Sequence, residues 1–221
     1  MTSIVPSSSK LKIKNEADLP EHISLDQYHQ LLSLVSTHRA KNPRLKVRDT
    51  LLFELLMQCG GRISDILDIK MSDIETRTIF LERPENIYYL NLRVKKTRII
   101  NGIPLSQSLM NLIYEHVHLS NIGNGKLFNI TRTQAWRIVQ SYGNMAGIRV
   151  NHFDRKTKTW SSKPLHPHHL RHSSAVNMMR QGMPLPVISA ILGHASIDIT
   201  YRMYLHVSSE VKKEWMDKII W

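Results

Sequence analysis

The chain holds one cysteine, Cys59, in 221 residues. A lone thiol closes no internal disulfide and builds no cysteine metal cage. Long apolar runs are also missing. The best, Leu51–Met57, is interrupted by Glu54, well short of the ~20 apolar residues a spanning helix needs. Met1–Lys12 carries no apolar leader core, so a soluble, cytoplasmic protein is expected. Acidic residues are scarce: Asp and Glu total 18 against 30 Lys and Arg, a formal net charge of +12. That excess favours a polyanionic partner. Nucleic acid is the usual one, and an anionic membrane surface is the competitor that the missing apolar runs weaken.

Hydrophobic residues make up 42% of the chain, which suits a globular protein with a proper core. Residues 1–20, with Ser7-Ser8-Ser9 and Pro20, read as a flexible tail, and the fold is expected to begin near Ser24. Ser24 and Gln27 have capping-box spacing, and Leu25, Tyr28, Leu31, Leu32 and Val35 recur at helical intervals. A second helix is expected over Arg48–Cys59, ended by Gly60-Gly61, with a short one over Ser64–Ile69. Thr78–Leu81, Tyr88–Val94 and Arg98–Leu105 are rich in β-branched and aromatic residues. They predict a small antiparallel sheet with a tight turn near Lys95–Arg98. Leu109, Leu112, Ile113 and Val117 mark another helix, and Thr131 with Gln134 caps the next, which runs to about Ala146. The basic stretch 149–164 reads as a loop or irregular hairpin, with Trp160 as its anchor to the body. Helices are expected again over Pro167–Gln181, Pro186–Leu192, Ser196–Leu205 and Ser209–Ile220. The fold class is mainly α with a small antiparallel β-sheet (α+β).

His166-Pro167-His168-His169-Leu170-Arg171-His172 places four histidines around one arginine. On a helix His168 and Arg171 share a face. An arginine beside an imidazole clamps a phosphate well. The rival is zinc, because His168 and His172 have the spacing of a helical ligand pair. The glutamate of an HExxH motif is absent, however, and Arg171 would set a cation beside the metal. No metal and no cofactor are expected. His172 and His206 read as structural, and His169 as exposed.

Leu192-Gly193-His194 follows some twenty residues later, then Tyr204. Upstream stands Gly61-Arg62-Ile63-Ser64-Asp65. The H-x-L-R-H helix, the L-G-H turn, the late tyrosine and the G-R-x-S-D box, in this order, resemble the phage integrase family of tyrosine recombinases. The resemblance covers about residues 20–208. It implies the catalytic-domain fold over 21–207, with the segment 208–221 as a C-terminal helix docking either on a neighbouring protomer, as is frequent in the family, or on its own domain.

By that resemblance Arg62 matches the first catalytic arginine, His168 and Arg171 the histidine and second arginine, and His194 the later histidine. Tyr204 matches the nucleophile; Tyr201 is its local rival. The family lysine sits in a β-hairpin turn, and counting back from Pro104 gives Lys96, with Lys95 adjacent. The implied activity is metal-free, site-specific cleavage and rejoining of double-stranded DNA through a 3′-phosphotyrosine, serving integration, excision, inversion or resolution. Four protomers would act on two DNA sites, with a monomer or weak oligomer off DNA, in the nucleoid. A type IB topoisomerase and a catalytically silent DNA-binding regulator of the same fold are the alternatives. Taken alone, Arg62 reads as the partner of Asp65 in an i, i+3 ion pair.

Overall fold

The computed structural model describes residues 21–80, 84–94, 99–154 and 156–193. The expected tail 1–20 and the expected helices Ser196–Leu205 and Ser209–Ile220 lie outside those residues. So do Lys95, Lys96, His194, Tyr201, Tyr204 and His206.

Helix α1 spans Leu25–His38, and its capping box closes as the sequence predicts: Ser24 Oγ accepts from the Gln27 N–H, and Gln27 Oε1 from the Ser24 N–H. The packed core reaches ahead of Ser24, because Ile23 is already buried. Helix α2 covers Pro43–Gln58, more than a turn longer at its start than expected. Pro43 has the backbone angle a first helical turn wants, and Asn42 Oδ1 caps the Leu45 N–H. Helix α3 is a single turn, Ile63–Ile66, shorter than the expected Ser64–Ile69, and a 3-10 turn follows at Met71–Asp73.

Strands β1 (Ile74–Phe80), β2 (Pro84–Val94) and β3 (Ile99–Leu105) form an antiparallel sheet in that order. Val94 pairs with Ile99, so residues 95–98 connect the two strands. Leu90, Leu92 and Val94 alternate onto the buried face, the period-two signature of a half-buried strand. Helices α4 (Gln107–Ser120) and α5 (Arg132–Met145) come next, and the Thr131–Gln134 capping box of α5 closes as expected.

The stretch 149–164 is a regular hairpin, β4 (Arg149–Asp154) against β5 (Thr159–Pro164). Trp160 does not anchor it to the body. Its side chain is exposed and packs on Phe153 of the opposite strand, ring centroids 5.1 Å apart. Helices α6 (Pro167–Arg180) and α7 (Leu185–Leu192) complete the described elements.

Helix α2 is the hub of the core. Leu51, Leu52, Phe53, Leu55 and Leu56 are fully buried in one cluster with Leu31 and Val35 of α1, Ile113 of α4 and Val139 of α5. Each such leucine contributes about 2 kcal/mol of apolar burial. A second cluster joins Ala175, Val176 and Met179 of α6 to Ile188 and Leu192 of α7. Cys59 is buried beside the hub, and desolvation pushes its thiol up to about 12, so it is an inert core residue. Among the described residues no helix is long and apolar enough to cross a membrane.

Candidate active site

The turn before Arg62 needs both of its glycines. Gly60 has φ +58°, and a Cβ there would lie 2.5 Å from Leu192 Cδ2. A Cβ on Gly61 would lie 2.7 Å from Ile66 Cδ1 and 3.0 Å from Leu92 Cδ2. The backbone is therefore wedged between α7 on one side and β2 on the other. This wedge delivers Arg62 to the N-cap of α3.

Arg62 is partly exposed and stands 4.0 Å from the buried Asp65 carboxylate. The i, i+3 pairing exists, but it is longer than a hydrogen bond. Arg62 Nη1 is buried, and among the described residues it has no hydrogen-bond partner. A buried guanidinium N–H without an acceptor is costly unless an anion supplies one.

Arg171 is buried one turn into α6. Its Nη1 donates to the Gly60 carbonyl at 2.6 Å, and its Nη2 to the Leu192 carbonyl at 2.9 Å. Leu192 is the last residue of α7, so the guanidinium also faces the negative end of that helix. Gly193 then turns the chain left-handed at φ 62°. One side chain thus ties the turn before Arg62 to the Leu192-Gly193 turn.

His168 sits in the first turn of α6 with an edge open to solvent. Partial desolvation lowers its pKa, and the positive fields of Arg171, His166 and Arg62 push the same way, with Glu21 opposing. The ring is therefore neutral at pH 7 and able to accept a proton. It packs on His172, ring centroids 4.4 Å apart.

His169 is not exposed as expected but buried. Its Nδ1 accepts from the His166 N–H at 3.3 Å, and its Nε2 lies 2.8 Å from Glu21 Oε2. These partners demand the neutral, Nε2-protonated tautomer. Desolvation, then repulsion from His166, takes the pKa down to about 4. His172 has the structural role expected of it: Nδ1 bonds the Glu21 carbonyl at 3.2 Å, and burial lowers its pKa to about 3.

Glu21 is the residue that sequence reasoning missed. Its carboxylate meets Lys163 at 3.0 Å, His169 at 2.8 Å and His152 as well. Desolvation works to raise its pKa, but hydrogen bonds from Lys163, His169 and His152 prevail and hold it down to about 2.

The structure therefore brings Arg62, His168 and Arg171 to one locality. Strand β2, which ends at Val94, lies close to that locality, since a Cβ on Gly61 would stand 3.0 Å from Leu92 Cδ2.

The family model described as the phage integrase family matches residues 21–210. The chain belongs to the phage integrase family. The tyrosine recombinase XerA of Pyrococcus furiosus is 27% identical over 209 residues, covering 90% of this chain and 62% of that protein. The tyrosine recombinase XerD of Bifidobacterium longum is 28% identical over 217 residues, covering 89% and 61%. The chain thus spans about three-fifths of the length of these curated relatives.

Among solved structures, the XerH recombinase bound to its difH substrate in a pre-cleavage complex superposes with TM-score 0.67 at 20% identity, over 90% of this chain and 55% of that one. The catalytic domain of bacteriophage HP1 integrase gives 0.58 at 20% identity, over 89% of this chain and 94% of that domain. These likenesses establish the phage integrase catalytic-domain fold.

Proposed function

We propose that this chain binds double-stranded DNA and cleaves and rejoins it at specific sites through a covalent 3′-phosphotyrosine. One observation carries the reading: a buried Arg62 N–H that has no acceptor among the described residues stands in the same locality as a neutral, solvent-facing His168. A phosphodiester supplies what each group wants. Its non-bridging oxygens accept from Arg62, and the attacking hydroxyl hands its proton to His168. The net charge of +12 provides the attraction that brings the polyanion in.

In this reading the Tyr204 hydroxyl attacks phosphorus in line as its proton passes to His168. The phosphorus–5′-oxygen bond breaks, and Lys96 protonates the departing oxygen. Arg62, Arg171 and His194 stabilise the charge developing on the non-bridging oxygens, without a metal. A 5′-hydroxyl from another strand then attacks the phosphotyrosine, reseals the DNA and releases Tyr204. The bond energy is conserved, so no nucleotide cofactor is needed. Assembly of four protomers on two sites belongs to the same reading.

The test is covalent capture. Sites selected from randomised duplexes by the protein serve to build a nicked suicide substrate. The wild type should yield a denaturation-resistant protein–DNA adduct, and Tyr204→Phe none. Binding without an adduct would mark a silent regulator. Relaxation of any supercoiled plasmid without site preference would mark a topoisomerase.

A further inference from the structure

Among the described residues, a polar knot outside the arginines and His168 is built on Glu21, just ahead of α1. One carboxylate oxygen meets His152 of β4 and Lys163 of β5; the other meets His169 of α6. The backbone carbonyl of the same residue takes His172, one turn along α6. Glu21 therefore holds both the residue after His168 and the one after Arg171. His169 in turn accepts the N–H of His166 at the start of the helix. The sequence Pro167–Leu170 gives the first turn of α6 no acidic residue. Glu21 supplies that negative charge from a segment 148 residues away.

We propose that Glu21 is a positioning residue, fixing the rotation and placement of α6 against the β4–β5 hairpin so that His168 and Arg171 meet the Arg62 turn in working register. This rests on the phosphoryl-transfer reading above. The chemistry is a charge-assisted network with four partners on three elements, and such networks hold geometry better than isolated pairs. The charged and titratable groups around the knot are His152, Lys163, His166, His168, His169 and His172, with Arg62 and Arg171 across the site. Glu21 is the carboxylate set against His168 there, so it also tempers the repulsion His168 feels from both arginines. Any shift of the chain at residue 21 is transmitted to α6 through the His169 and His172 contacts.

The test uses the full chain, 15N-labelled at histidine. Imidazole spectra are titrated without DNA, and single-turnover adduct formation is followed against pH. Glu21→Ala should keep the fold by circular dichroism, change the His169 and His172 ring shifts, and slow adduct formation about ten- to hundredfold. Glu21→Gln keeps hydrogen-bonding capacity without the charge. It should recover part of that rate while moving the His168 titration, and the acid limb of the rate profile, to lower pH. The proposal is overturned if Glu21→Ala keeps wild-type rate and ring shifts. It is equally overturned if rate falls only in proportion to folded protein while the His168 titration in Glu21→Gln stays put. A wild type that forms no adduct sinks the functional reading instead, and the DNA-free imidazole spectra still decide the positioning role.

Discussion

Arg171 donates from Nη1 to the carbonyl of Gly60 at 2.6 Å, across 111 residues of sequence. With its second bond to Leu192, this makes Arg171 a structural tie as well as a proposed phosphate ligand. The Gly60 turn presents Arg62, and Leu192-Gly193 leads to His194. A single buried guanidinium on α6, the helix that also carries His168, therefore ties the turn that presents Arg62 to the end of α7.

The two arginines should separate in stability measurements. Arg171→Lys replaces a planar fork with one ammonium that cannot serve both carbonyls. Urea unfolding should show a loss of about 2–4 kcal/mol, the scale of broken charged hydrogen bonds in a buried site. Arg62→Ala removes a loose, part-exposed ion pair and should cost less than about 1 kcal/mol. Both should abolish adduct formation. Equal stability losses would contradict the assigned tie.

Gly60→Ala and Gly147→Ala form a matched pair. Both positions have positive φ, +58° and +65°, so both substitutions carry backbone strain of about 1–2 kcal/mol. Only at Gly60 would the new methyl collide, with Leu192 Cδ2; Gly147 faces open space. Thermal melting should therefore fall further for Gly60→Ala. Equal shifts would show that the turn is not wedged against α7.

Acid should unfold the protein in two overlapping stages. His169 and His172 have folded pKa values lowered to about 4 and about 3. The unfolded chain binds their protons first, so stability is full above about pH 6.5 and falls as pH drops towards 4. For the buried His169 the loss between pH 7 and pH 5 is on the order of 2 kcal/mol. Glu21, held down to about 2, adds stability above its unfolded value of about 4.3 that is lost as pH falls below it. Denaturant titrations from pH 7 to pH 4 measure the slope. His169→Gln should flatten it between pH 7 and pH 5, and an unchanged slope would refute the neutral, buried assignment.

The β4–β5 hairpin presents Lys156 and Lys158 to solvent. If they lie along the phosphate backbone, Lys156→Ala with Lys158→Ala should weaken DNA binding and reduce the salt slope of log K by about 1–2. An unaltered slope would make the hairpin a solvated excursion.

Local chemistry was legible in the sequence; long-range polar partnerships were not. Both capping boxes and the three-stranded sheet follow from residue spacing, and the grouping of Arg62 with His168 and Arg171 is what the family resemblance implies. Helix α2 starts ahead of the apolar stripe that marks it in the sequence, because Asn42-Pro43 supplies the cap and the first-turn proline. A histidine within a polar run carries no local sign of burial, so the expectation that His169 is exposed fails. Its burial depends on Glu21, and no periodicity relates residues so far apart. Trp160 packs on Phe153 and not on the body, because the stretch 149–164 pairs as a regular hairpin.

Peptide mapping of the trapped adduct identifies which tyrosine attacks the phosphate at the proposed metal-free arginine site. Trypsin cuts after Arg202, so Tyr201 falls in the peptide Gln181–Arg202 and Tyr204 in Met203–Lys212. After nuclease trimming, mass spectrometry should find the nucleotide remnant on Met203–Lys212, formed equally well in the presence of EDTA. A remnant on Gln181–Arg202, or an adduct that EDTA prevents, would contradict the account.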